Sequence, residues 1–172
     1  MVFWINTPFD PLPGEGGRPL RYWLLSQALV AAGHRVVLWG SDFHHITKQS
    51  RVVPSVYESE GIQVRLVPTQ PYRRNIGLGR LRSHAKYVRD WQAMAKHVLD
   101  GRVLEAPDCV VVSMPPLGLY DAAANLRKDW GCRVVIDVQD AWPETFYQLV
   151  PPWAHGIARR VLARLHAGAV RA

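Results

Sequence analysis

The 172 residues are 48% hydrophobic and 20% charged, ordinary proportions for a globular chain and enough for one domain with a buried core. No apolar run reaches the ~18 residues a membrane-spanning helix needs, and the first residues lack the basic and long apolar segments of a secretion signal, which argues for the cytoplasm. The net charge of +7 is uneven: eight basic residues face only Asp90 and Asp100 between positions 73 and 102, and such a face suits an anionic partner.

Residues 2–5 read as a first strand, followed by a Pro/Gly-rich turn over 6–17. A helical pattern opens at Arg18 and Pro19, with Leu20, Trp23, Leu24, Gln27, Ala28 and Ala31 on its inward face and Gly33 at its end. Residues 35–39 form an apolar strand suited to burial on both faces. Residues 62–67 alternate like a strand nearer an edge, and a loop runs from 68 to 79. A helix is expected from about 80 to 99, with Leu81, Ala85, Val88, Gln92, Ala95 and Leu99 inward. Residues 108–113 make a strand stopped by Pro115 and Pro116, 117–130 a helix, 133–138 a fifth strand and 153–170 a basic helical stretch.

Strands alternating with helices predict an α/β, Rossmann-like parallel sheet sandwiched by helices, occupying residues 1–172 as one domain. No strand is legible after the last helical stretch, so the domain reads as cut before its final strands. Ligands of such sheets bind at the carboxyl ends of the strands, near the point where strand order reverses. That rule selects three loops, at 6–17, 113–118 and 139–144.

In the first loop Gly14, Gly16 and Gly17 precede a helix start, and Arg18 adds a cation. Backbone N–H groups and the positive helix end make such a turn a cradle for a phosphate. Pro19 breaks the dinucleotide fingerprint and no Gly-Lys-Ser/Thr follows, so a plain surface loop stays an alternative. In the third loop Gln139, Asp140, Trp142 and Glu144 are candidates. Asp140 can orient a sugar hydroxyl or act as a base, and Trp142 can stack on a sugar ring. Capping beside Pro143 is the other reading of Asp140 and Glu144.

The adjacent His44 and His45 point in opposite directions, which suits polar substrate contacts or a loop role better than one metal. Ser113 sits outside any Gly-x-Ser-x-Gly elbow, which disfavours hydrolase chemistry; it is counted with the substrate contacts. Cys109 and Cys132 stand at strand starts as small buried residues of a reducing compartment. His84 and His97 are expected in solvent. Arg82, Lys86, Arg89 and Lys96 make one stripe, with Tyr72, Tyr87 and Trp91 interleaved, a pattern that suits a lipid headgroup layer. A plain solvated helix face is the alternative.

Several of these pieces together resemble the N-terminal, acceptor-side half of GT-B glycosyltransferases of the family-four type, which build bacterial surface polysaccharides. They are Pro11 to Gly17 with Arg21-Tyr22, Leu29 to Leu38, Ser41-Asp42-Phe43-His44-His45, Ser113-Met114-Pro115-Pro116 and Asp140-Ala141-Trp142-Pro143-Glu144. The match spans nearly the whole chain, and the Asp-x-Trp-Pro-Glu string is its most specific part. The resemblance implies a retaining enzyme that moves a sugar, of hexosyl or N-acetylhexosaminyl type, from a nucleotide sugar to a lipid-linked saccharide. It further implies a C-terminal donor-binding domain missing from this chain, so that the isolated half is inactive. No cofactor is implied; the nucleotide sugar is a co-substrate. An anionic membrane surface is expected as a partner, with the enzyme peripheral at its inner face. Many relatives carry a histidine where this chain has Gln139, which can hydrogen-bond a sugar but cannot shuttle a proton. The leaving phosphate of retaining enzymes then helps deprotonate the acceptor, steadied here by the amides of residues 14–17. The other reading is a non-catalytic Rossmann-like module for a nucleotide or nucleic acid, the latter disfavoured. An oxidoreductase is disfavoured by Pro19.

Overall fold

A computed structural model describes residues 1–15, 18, 20–75, 77–139, 155 and 156. Its elements are β1 (Val2–Asn6), α1 (Arg21–Ala31), β2 (Arg35–Ser41), β3 (Phe43–His44), β4 (Gln49–Ser50), β5 (Val56–Ser59), β6 (Ile62–Val67), α2 (Leu78–Asp100), β7 (Cys109–Met114), α3 (Leu119–Trp130) and β8 (Arg133–Val138). Six strands form one sheet in the order β5-β6-β2-β1-β7-β8, and β3 and β4 pair separately. Neighbours are parallel except β5 and β6.

The chain builds outward from β1 through β2 to β6. It then crosses by α2 to β7 on the other side of β1, and continues by α3 to β8. Strand order therefore reverses between β1 and β7, at the centre of the sheet. The period-two alternation of side chains divides the core into two layers. Ile5, Leu38, Val64 and Val111 face α1, where Tyr22 and Trp23 cover them. Trp4, Trp39, Val110 and Val112 face α2 and α3, where Tyr87, Trp91 and Leu119 cover them. Trp4, Trp39 and Trp91 are completely buried. At ~25 cal/mol/Å² each indole contributes roughly 4–6 kcal/mol of burial, offset because their three ring N–H groups have no acceptor among the described residues.

Two helix faces differ from expectation. In α1 the buried side is Tyr22, Trp23 and Ser26, while Leu24 is 53% exposed and Ala28 and Ala31 face solvent. In α2 the buried side is Ser83, His84, Tyr87, Trp91, Ala95, Val98 and Leu99, with Leu81 exposed. Large aromatic rings win the inward position because they bury more apolar area than a leucine or alanine one step round the helix. The phenol of Tyr87 is satisfied in the core by donating to Asn6 Oδ1 at 2.7 Å. Of the expected terminal helical stretch, only His155 and Gly156 are among the described residues, and both are helical.

The hairpin of β3 and β4 and the strand β5 have no counterpart in the sequence reading. β5 lies antiparallel along β6, pairing Tyr57 with Val64 and Glu58 with Gln63. It takes the edge that β6 itself was expected to approach. Gly33, with φ of 81°, turns the chain from α1 into β2. Its N–H reaches Val30 O at 2.9 Å and the next N–H reaches Leu29 O at 3.0 Å, which closes the helix end.

Candidate functional site

The carboxyl ends of β1, β7 and β8 meet at the reversal point. The loop after β1 begins there with Thr7, whose N–H extends the ladder to Trp39 O at 2.9 Å. Leu12 then dips into the α1-side core, 6% exposed. Gly14 turns with φ of 86°, a conformation that favours glycine, and a Cβ there would meet nothing within 4 Å. Glu15 carries the staple. Its Oε1 accepts from Arg51 Nε at 2.6 Å and its Oε2 from Arg51 Nη2 at 3.1 Å.

The Arg51 side chain is only 1% exposed. It also donates to the carbonyls of Ser41 and of Asp10, the latter at 2.7 Å. Leu12 N–H reaches Glu15 Oε2 at 2.7 Å. Burial pushes the Glu15 carboxyl up, but the Arg51 and Leu12 hydrogen bonds and the Arg51 and His44 charges outweigh it, leaving its pKa below the usual range. The loop over residues 10–15 is thus tied down from β4's far end rather than standing free.

At the end of β8, Gln139 N–H donates to Met114 O at 3.0 Å and carries the β7–β8 ladder one step further. Asp137 accepts twice from Arg21 Nη1, at 3.0 and 2.8 Å, and from Tyr22 Oη at 2.7 Å. Gln139 Nε2 in turn donates to Tyr22 Oη at 3.0 Å. Burial, together with the bond to Asp137, drives the Tyr22 phenol well above its ordinary pKa, so it stays protonated. α1 is thereby bolted to the strand end that carries the third loop.

Asp10 belongs to the same edge. Burial raises its carboxyl pKa, against the Thr7 hydrogen bond and the charges of Arg21 and Arg51, while Asp137 adds to the rise. Its Oδ2 is buried and has no hydrogen-bond partner among the described residues.

A second wall lies beside the β1 loop. The Phe9 ring packs on His45 and His84, with centroids 5.3 and 4.8 Å away. Tyr72 packs on Phe43 and His45 and shares a hydrogen bond with His45. Lys48 lies 4.6 Å over the Tyr72 ring and bonds Asn75, whose carbonyl takes Arg80 Nη1 at 2.9 Å. Burial lowers the His45 pKa to about 4, helped by the charges of Lys48, Arg80 and His44. Burial, then Arg80 and His45, lowers that of His84 to about 3. Both rings are therefore neutral near pH 7. A cavity of about 10 Å³, room for about one water, sits between Phe9, Phe43, Tyr72 and His84.

The expected site residues fall in three groups. Gly14 and Arg18 are exposed, and Gln139 is half-buried at the reversal edge. Gly16, Gly17, Asp140, Trp142 and Glu144 lie outside the described residues. His44 is 8% exposed: its Nδ1 accepts from Ile46 and Thr47 N–H at 3.2 and 3.1 Å, and its Nε2 stands 3.4 Å from Glu15. Its ring thus braces the loop. His45 faces the aromatic wall. Ser113 is 2% exposed and its hydroxyl donates to Pro115 O at 3.4 Å.

On α2, Arg82 and Arg89 are exposed and Lys86 is half-buried, paired with Asp90 and with Pro68 O at 3.1 Å. The aromatic residues assigned to that face are a correction: Tyr72 is 6%, Tyr87 1% and Trp91 0% exposed, and they pack inside. His84, expected in solvent, is also buried, at 4%. Sequence reading missed Asp10, Glu15, Arg51, Tyr22 and Asp137 as members of this edge. A charged residue inside an otherwise apolar strand, Asp137, is the signal that was there to follow. Among the described residues no group of three or more His, Cys, Asp or Glu side chains is placed to hold a metal, and no helix is long and apolar enough to cross a membrane.

A family model described as a glycosyl transferase 4-like domain matches residues 16–172. The comparison with curated proteins gave no match.

Proposed function

The chain belongs to the glycosyl transferase 4-like family, and from that premise we propose that it forms the acceptor-side half of a retaining glycosyltransferase. The sheet, with helices on both faces and its reversal point between β1 and β7, is the Rossmann-like half of a GT-B enzyme. The observation that supports the site reading is the composition of the edge at the ends of β1 and β8. Asp10 and the Gln139 amide lie at one edge, suited to hydroxyl groups, beside Asp137, which Arg21 and Tyr22 hold, and beside a loop whose backbone Arg51 ties down.

In this proposal a nucleotide sugar, of hexosyl or N-acetylhexosaminyl type, is the donor and is held chiefly by a second domain outside this chain. The sugar C1–O bond to the diphosphate breaks and a C1–O bond to the acceptor hydroxyl forms on the same face. The acceptor proton passes to the departing phosphate oxygen. Amides of the loop at 14–17, with Arg18, offset the charge developing on that phosphate. Gln139 and Asp140 orient sugar hydroxyls, and Trp142, Glu144, His44, His45 and Ser113 are assigned to the acceptor. No cofactor takes part.

The acceptor is a lipid-linked saccharide of cell-surface polysaccharide synthesis, and Arg82, Lys86 and Arg89 meet the anionic surface of the membrane that carries it. With Tyr72, Tyr87 and Trp91 in the core, that contact is electrostatic rather than a buried aromatic belt.

The test is transfer of label, by the full-length protein with its donor-binding domain, from radiolabelled nucleotide sugars into the organic-soluble fraction of a membrane lipid extract. Asp140→Ala is expected to abolish transfer. Binding of nucleotide sugar without any turnover would favour a non-catalytic module instead. Flotation with anionic vesicles tests the membrane arm: Arg82→Glu with Arg89→Glu is expected to release the protein, and equal binding to neutral vesicles would remove that arm.

A further inference from the structure

The four side-chain hydrogen bonds at the end of β8 fix more than a position. Asp137 is a carboxylate that already accepts from Arg21 at 2.8 and 3.0 Å, so it can only accept. Tyr22 Oη stands 2.7 Å from it and must spend its single proton there. That leaves the phenol oxygen as an acceptor. Gln139, 3.0 Å away, can meet it only with Nε2; the reversed amide would set two acceptors against each other. Tyr22 itself is 1% exposed and packed in the α1 layer, so it cannot swing away.

We propose that Tyr22 and Asp137 are positioning residues that lock the Gln139 amide with its carbonyl oxygen turned out to accept from a hydroxyl of the bound sugar. The ligand part of this rests on the transferase reading above. Asp10, an acceptor whose buried Oδ2 has no hydrogen-bond partner among the described residues, belongs to the same edge. The edge therefore suits a polyhydroxyl group. Discrimination comes from the direction of one amide: a ligand that lacks the matching hydroxyl leaves that carbonyl without a donor.

Two measurements test this. In the ¹H–¹⁵N spectrum of the protein, the Gln139 side-chain amide is assigned by its loss in Gln139→Glu. The expected result is a nuclear Overhauser contact between its Hε2 protons and the Tyr22 ring, absent in Tyr22→Phe, where amide exchange with water speeds about 3- to 10-fold, one hydrogen bond's worth. No such contact in the wild type overturns the locked orientation.

In kinetics, the nucleotide sugar that supports turnover is compared with its monodeoxy analogues. One analogue should be rejected by the wild type, and Tyr22→Phe should reduce that rejection about 3- to 10-fold through KM, with kcat and melting temperature little changed. Equal discrimination in both proteins, or loss confined to stability, overturns the proposal. The kinetics use the full-length protein with its donor-binding domain; no turnover by that protein on any nucleotide sugar overturns the transferase reading and the ligand part with it, while the spectrum still decides the orientation.

Discussion

Replacing Arg51 with methionine removes the guanidinium that ties the loop after β1 to the rest of the domain. The side chain is 1% exposed and makes bonds to both Glu15 oxygens and to the carbonyls of Ser41 and Asp10. Its loss leaves Glu15, 16% exposed, as a mostly buried carboxylate facing, among the described residues, Leu12 N–H and His44. Breaking one half of such a pair costs about 3–5 kcal/mol. At this chain length that is a fall in melting temperature of roughly 6–20 °C. Urea unfolding of the wild type, Arg51→Met, Glu15→Met and the double variant forms the cycle. The double variant should recover most of the loss, because two apolar side chains leave no buried charge behind.

The pH dependence carries the same signature. The Glu15 pKa is lowered in the folded protein, so its contribution is present above the ordinary value of 4.5 and is lost as pH falls through the folded value. Arg51→Met should flatten that part of the profile. A loss under about 1 kcal/mol in Arg51→Met, or additive losses in the double variant, would refute the staple.

Trp91→Ala should cost about 3–5 kcal/mol, since the ring is fully buried; Arg82→Ala should cost less than about 0.5 kcal/mol. Urea titration of each separates the two sides of α2. The buried His45 and His84 bind protons less tightly folded than unfolded, with pKa values of about 4 and about 3 against 6.5. Stability is therefore full above pH 6.5 and should fall as pH drops toward 4, and His84→Gln should shallow that slope in thermal scans. Gly14→Ala forces a side chain into a φ of 86° but meets no neighbour. It should cost about 1–2 kcal/mol in urea titration without loosening the fold elsewhere; a larger cost would mean that a packed neighbour fills that space.

The five parallel strands were legible because each is a short apolar-rich stretch bounded by turn residues, unbroken in Val36-Val37-Leu38 and Val110-Val111-Val112 and alternating with Gln63 and Arg65 in residues 62–67. β3, β4 and β5 were not: they hold two to four residues each and owe their form to neighbouring backbone rather than to a pattern of their own. Helix existence was clear, but helix facing was not. Tyr22, Tyr87 and Trp91 carry polar atoms that suit an interface as well as a core, and only the sheet beneath them decides. At the site, Gln139 and Gly14 were visible as loop residues after strands. Their fixings were not, because Arg51 meets Glu15 across 36 positions and Tyr22 meets Asp137 across 115. Such pairs have no local spacing to read.

Mass spectrometry of a lipid-linked saccharide acceptor incubated with nucleotide sugar and the full-length enzyme, donor-binding domain included, tests the central claim most directly. The account predicts a product heavier by one sugar residue, released nucleoside diphosphate in equal amount, and a new anomeric linkage of the donor's own configuration. Acceptor recovered unchanged, with every nucleotide sugar intact, would contradict it.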